Sequence, residues 1–463
     1  MVRKLRLRVK TVGLVHIGNS QQYGKHDYFA DKGKIAVLDI KRFTKSLNPE
    51  QLQRYCDFLQ GDKGGGGLQG FLSKNEDLRK VAKNCIAYRV DTPLFRARRG
   101  EIKYYDVWQF VKDPYGKPYI PGSSVKGMLR TAILLNLVLQ NREEYRSRFD
   151  LSYAVSGRRG ADGEIVKYAF RDRVAGKFDA VSDAMRYVSV SDSEPLKVED
   201  LVFAKKYDQF SKKDLARHKP DMGNLSDFDG NSLNVYWECL RPGTEIVVDV
   251  SVDEEKLKER LSGLEFDAEG IESLLKRSFD FYSDSFLRHF DCEEASAEAT
   301  KDDGQCGYVI ASGPFAGRRC SNAAVEGSGY CRLHKDAAGE KGVTEETPCY
   351  LGGGVDFASK TTVGALYENE QERAAVVSRI LYGHFPTKVA HGTNQNLCQE
   401  IRREGFEPKM QSFGGRGRVK KTKEDHRHWM DSQLGVSPHT LKWGDLGSER
   451  YLMGRCSVEV EEL

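Results

Sequence analysis

Residues Tyr119–Leu134 read YIPGSSVKGMLRTAIL. A Pro-Gly pair ends the extended segment before it, and the apolar spacing after it predicts a helix from Ser124 to about Asn141. Ser123 or Ser124 is the expected cap, with the free amides and positive dipole end of the helix facing outward. Lys126 and Arg130 are four residues apart and share one helical face. Such a helix end suits a phosphate. It is not a nucleotide-hydrolysing loop of the form G-x-x-x-x-G-K-[ST], because Ser123 directly follows Gly122 and the lysine arrives only inside the helix. Two readings remain: a clasp for a phosphodiester, and a capped helix with two surface cations.

Strands flank this helix. Residues 3–12, RKLRLRVKTV, set Leu5, Leu7 and Val9 against Arg6, Arg8 and Lys10, the alternation of a half-buried strand with one basic face. KIAVLDI (Lys34–Ile40) is its expected partner. A helix is expected over Pro49–Leu59, then a flexible glycine-rich linker over Gly61–Gly70. Residues 86–111 read as a hairpin whose basic turn holds Arg96, Arg98 and Arg99. Residues 156–180 read as a loop, and MRYVSVSDS (Met185–Ser193) as a strand with Asp192 in its closing turn. Further strands are expected at LVFAKKYDQF, Thr244–Val252 and the terminal CSVEVEEL, with helices at Gly270–Phe290 and Glu370–Leu381. The class is α+β. The expected organisation is two related domains, residues 1–194 and residues 195–290 joined with 348–463, with an insertion at 291–347.

The chain has 463 residues, 39% apolar and 30% charged, and no apolar run of membrane-spanning length. Its basic start, MVRKLRLRVK, has no apolar signal core after it, so a cytoplasmic protein is expected. Net charge is only +4, but it is unevenly distributed. Residues 1–10 hold five basic side chains and no acid, and residues 409–423 hold six, including Arg416, Arg418, Lys420 and Lys421 among glycines. Glycine lets the backbone approach closely while the cations neutralise phosphate, so this run fits a nucleic-acid backbone as well as a solvated loop. The triplet Gly352–Gly354 is similar in kind, either a tight turn or a backbone surface for ribose-phosphate.

Ten cysteines in such a chain do not form a disulfide framework. Cys306, Cys320, Cys331 and His334 are spaced C-x13-C-x10-C-x2-H, and the closing C-x2-H can chelate. Three thiolates and an imidazole make a closed tetrahedral Cys3His site, so structural Zn2+ is expected in the 291–347 insertion. No Ser-His-Asp, Cys-His or H-x-x-x-H pattern is present. His16, in VHIGN, and His426 and His428, in KEDHRHW, are the candidates for a general base in a nuclease.

Taken in order, LVHIGN, DPYGKPYIPGSSVKGMLRTAI, RYVSVSDSEP, YWECLRPGTEI, YLGGGVDFASKTTV and GRVKKTK…YLMG resemble the RAMP superfamily of CRISPR-associated proteins. The resemblance spans nearly the whole chain and is strongest to the fifth-subunit family of type III-A (Csm) effector complexes. It implies two ferredoxin-like (RRM-type) RAMP domains, and a non-catalytic subunit that caps the filament at the crRNA 3′ end and assists crRNA maturation. It implies crRNA, target RNA and other Csm subunits as partners, and host 3′-trimming nucleases as visitors. Carried over by motif, the RNA contacts are His16, Gly18, Ser123, Ser124, Lys126, Arg130, Gly352, Gly353 and Gly354. The alternative is a metal-independent RAMP-type endoribonuclease with His16 as base. The cysteine module is a departure from the family pattern.

Overall fold

The computed structural model describes residues 2–61, 66–90, 92, 105–156, 160–170, 182–218, 230–292, 346–390, 394–411, 427–447 and 449–463. Strands are numbered β1–β16 along the chain. The fold is α+β. Its central sheet is built on β1 (Val2–Thr11), which pairs antiparallel with β10 (Glu245–Asp253) on one side and β16 (Arg455–Glu462) on the other. The short β7 (Val188–Val190) extends the sheet beyond β10, and β11 (Thr347–Tyr350) extends it beyond β16. All four pairings are antiparallel.

Two long helices cover one face. Gly122–Gln140 lies in sequence between β1 and β7, and Ala268–Ser285 lies between β10 and β16. Leu5, Leu7, Val9, Val248 and Val250 face them and join Val125, Leu129, Ile133, Ile271 and Leu275 in one apolar core. The alternation in β1 forces this, since a one-residue slip in register would put arginines into the core. The chain thus runs strand, helix, two strands, helix, strand, with β16, β1, β10 and β7 side by side.

This order corrects two expectations. Lys34–Ile40 does not pair with β1; β4 (Lys34–Leu38) lies between β3 (Tyr28–Asp31) and β5 (Ile86–Val90) in a separate sheet. The expected boundary at residue 194 does not separate the sheets either. β1 and β7 from the first half pair with β10 and β16 from the second, so one helix-covered sheet draws on both ends of the chain.

A six-stranded sheet runs β15 (Arg450–Leu452), β14 (Thr440–Asp445), β8 (Leu201–Phe210), β9 (Gly230–Leu240), β6 (Val107–Phe110) and β2 (Gly18–Tyr23). β8 and β9 form its long antiparallel arm, inserted in sequence between β7 and β10. β5 and β6, expected as one hairpin, join different sheets, and the basic turn between them lies outside the described residues. Part of the expected linker is helical (Gly67–Lys74), because Leu68 and Leu72 are buried. Part of the expected 156–180 loop is the helix Gly163–Phe170, held by buried Ile165 and Phe170. A parallel pair, β12 (Lys388–Ala390) and β13 (Lys409–Gln411), completes the strands. Among the described residues no helix is long and apolar enough to cross a membrane.

Candidate RNA interface

Three motifs far apart in sequence meet where β1 ends. The chain leaves β1 through buried Leu14 and Val15, and Val15 exchanges backbone hydrogen bonds with Leu240 at the end of β9. The Gly353 amide donates to the His16 carbonyl (2.6 Å), the Gly454 amide to the Leu14 carbonyl (2.7 Å), and the Leu351 amide to the Gly454 carbonyl (2.8 Å). VHIGN, YLGGG and YLMG are therefore one backbone knot.

The glycines are what allow it. Gly352 has φ +88°, and a Cβ there would sit 2.5 Å from the His16 carbonyl oxygen. Gly354 has φ +76°, and its Cβ would sit 2.5 Å from the Trp237 ring. No other residue adopts both the conformation and the distance without strain. Gly18 is exposed and Gly352–Gly354 half-buried, so the knot presents backbone toward solvent.

His16 is only 7% exposed. Its Nδ1 lies 2.7 Å from the Glu238 carbonyl, an acceptor, so Nδ1 carries the proton and donates. The ring stacks on Trp237 (5.8 Å between centroids) and meets Phe110 edge-on. Burial lowers its pKa, which keeps the ring neutral at neutral pH. Beneath it, the fully buried Glu238 carboxylate accepts hydrogen bonds from Lys112 Nζ (2.5 Å), the Phe110 amide (2.9 Å) and the Tyr88 hydroxyl. Burial and the Glu238 charge push the Tyr88 hydroxyl up, so it stays a donor. This network fixes β6 against β9 below the knot.

YIPGSSVKGMLRTAIL behaves differently from expectation. The helix starts at Gly122, and neither Ser123 nor Ser124 caps it. The carboxylate of Asp192 instead accepts the Gly122 amide (2.8 Å), while Ser193 accepts the Ile120 amide through its Oγ. An acid from the SVSDSEP segment already fills part of the anion position that the dipole favours. Gly122 is needed for close approach, since a Cβ would lie 2.3 Å from the Val190 carbonyl oxygen. Arg130 is also committed internally: it pairs with Asp183 (2.7 Å) and covers the Phe170 ring. Lys126 is half-buried and makes no ion pair among the described residues. Of the expected clasp, Lys126 and the exposed Ser123 remain open to a ligand.

The basic face of β1 is likewise neutralised. Arg6 pairs with Asp249 (2.9 Å) and Arg8 with Glu461 (3.0 Å), while Arg3, of the opposite parity at the strand's start, pairs with Glu254 and Glu462. Lys10 stands opposite Glu245. The outer face of the central sheet is a cross-strand lattice of opposite charges.

Cys306, Cys320, Cys331, His334, Arg416, Arg418, Lys420, Lys421 and His426 lie outside the described residues. His428 is 6% exposed and bonded to Asp431, a partner the sequence reading missed together with His439. The spacing H-x2-D-x7-H was the available signal.

Residues 8–292 match the family described as the RAMP superfamily. The "CRISPR system Cms protein Csm5" of Mycobacterium tuberculosis (strain CDC 1551 / Oshkosh) is 25% identical over 272 residues, covering 54% of this chain and 67% of that protein. The protein of the same name from Streptococcus thermophilus is 24% identical over 304 residues, covering 64% and 75%. A chain in the cryo-EM structure of a Csm-crRNA-target RNA ternary complex of a type III-A CRISPR-Cas system covers all of this chain and is itself fully covered, with TM-score 0.54 and 16% identity.

Proposed function

The chain belongs to the RAMP superfamily, and on that premise we propose that it is a non-catalytic, guide-RNA-binding subunit of a type III-A Csm effector complex, seated at the crRNA 3′ end. The observation that carries the reading is the knot of His16, Gly352–Gly354 and Gly454. A partly exposed, glycine-lined backbone lets a ribose-phosphate chain approach closely and offers it no sequence choice. The relatives named Csm5 and the fold likeness to a chain of a Csm-crRNA-target RNA complex support it.

In this reading the circuit of β1, β7, β10 and β16 with its two helices is a ferredoxin-like unit. RNA does not lie across its outer face, where Arg6 and Arg8 are already engaged by Asp249 and Glu461. It follows the knot instead, with Lys126 and the basic run Arg416–Lys421 as neutralising cations. The β8–β9 arm is the thumb that reaches toward the guide. His16 positions the knot and is assigned no chemistry: it is 7% exposed, with its ring packed against Trp237 and Phe110. Cys306, Cys320, Cys331 and His334 hold a structural Zn2+. Neighbouring Csm subunits and target RNA are the partners, and 3′-trimming nucleases act on the guide while the chain defines its end. Guide length in reconstituted complexes with and without this chain tests the proposal; identical 3′ ends would refute it.

A further inference from the structure

Three ligand-type side chains converge in the C-terminal segment. A helical turn, His428–Met430, sets His428 three residues before Asp431, and His439 stands just ahead of β14. Asp431 is fully buried and accepts hydrogen bonds from His428 Nδ1 (2.9 Å), His439 Nδ1 (2.5 Å) and Ser437 Oγ (2.6 Å). One candidate ligand atom from each of His428, Asp431 and His439 lies within 4.8 Å of the others. Both imidazoles also line a cavity of about 460 Å³.

We propose that His428, Asp431 and His439 bind one divalent transition-metal ion of the zinc class. A buried carboxylate is stabilised by a compensating cation, and a divalent ion held between the two flanking imidazoles would supply one. Two imidazoles and a carboxylate are the donor set such ions take, and it leaves a coordination position for water from the cavity. Metal bonds of about 2.0–2.2 Å spread ligand atoms to roughly 3.4 Å apart. The two His–Asp separations are hydrogen-bond lengths to different oxygens of Asp431, so loading lengthens each by about 0.5–1 Å. Each Nδ1 gives up its proton as it coordinates. The ion would tie the segment after the basic run to β14. This site has no thiolate, which separates it chemically from Cys306–His334.

The test uses the full-length protein, loaded with zinc, freed of loose metal by a weak chelator, then treated with a mercurial thiol reagent that expels thiolate-bound zinc. One equivalent per chain is expected to remain, and none in His428→Gln plus His439→Gln. Zero zinc remaining in the treated wild type, or equal zinc in the double variant, would overturn the site and leave a hydrogen-bonded cluster. Should the double variant not fold, cobalt decides: the thiol-blocked wild type should develop visible absorption saturating at one equivalent without thiolate charge transfer. No such absorption overturns the proposal.

Discussion

The Gly353 amide donates a 2.6 Å hydrogen bond to the His16 carbonyl, joining loops from opposite ends of the chain. Neighbouring Gly354, at φ +76°, places its Cα where a Cβ would strike the Trp237 ring. Gly354→Ala should therefore lower stability by about 1–3 kcal/mol, from strain and overpacking. Urea unfolding measures this; a midpoint equal to wild type would show that the knot accommodates a side chain.

Lys112 compensates a carboxylate with no solvent access, since Glu238 is 0% exposed. Lys112→Met leaves that charge stranded and should cost about 3–5 kcal/mol. Adding Glu238→Gln should recover much of the loss, because the remaining amide needs no counter-charge. Equal stability of the single and double variants would contradict the network described here.

The two cations of the first long helix should separate by role. Arg130→Glu places an acid beside Asp183 and should destabilise the fold, visible as a lower melting temperature. Lys126→Glu should leave stability within about 0.5 kcal/mol of wild type while weakening salt-sensitive guide binding. Unchanged binding for Lys126→Glu would remove this helix from the interface.

Stability should depend on pH through two groups with opposite signs. Burial raises the Asp162 pKa from 3.8 to about 7. Its contribution is fully present below the unfolded value and is lost as pH rises through about 7. Asp162→Asn keeps the neutral form's acceptor for the Thr362 amide, so its advantage over wild type should grow by about 1.4 kcal/mol per pH unit between those values and level off above pH 7. His16 works the other way. Its folded pKa is lowered, so the unfolded chain binds the extra proton and stability falls as pH drops below about 6.5. Unfolding curves of Asp162→Asn and wild type that run parallel from pH 4 to 8 would contradict the first assignment.

Much of the local structure was legible in the sequence. The alternation of Leu5, Leu7 and Val9 marked β1, LVFAKKYDQF marked β8, and Glu370–Leu381 lies inside the helix Glu370–His384. Pairing was less legible, because alternation identifies a strand's buried face but not its neighbour, and β1 found partners more than two hundred residues away. The same gap affected the site. Arg130 and the arginines of β1 read as free cations because Asp183, Asp249 and Glu461 are distant in sequence. The helix cap failed for a similar reason: Asp192, expected in a turn, accepts the Gly122 amide from another segment. His16 and Gly352–Gly354 were each singled out by local pattern, and only folding could bring them together.

The most direct measurement is ultraviolet crosslinking of guide RNA in the assembled complex, mapped to peptides. Crosslinks from the 3′-terminal nucleotides to the His16–Gly18 and Gly352–Gly354 segments are predicted. Crosslinks from those nucleotides confined to neighbouring subunits, with none on this chain, would contradict a guide-binding role.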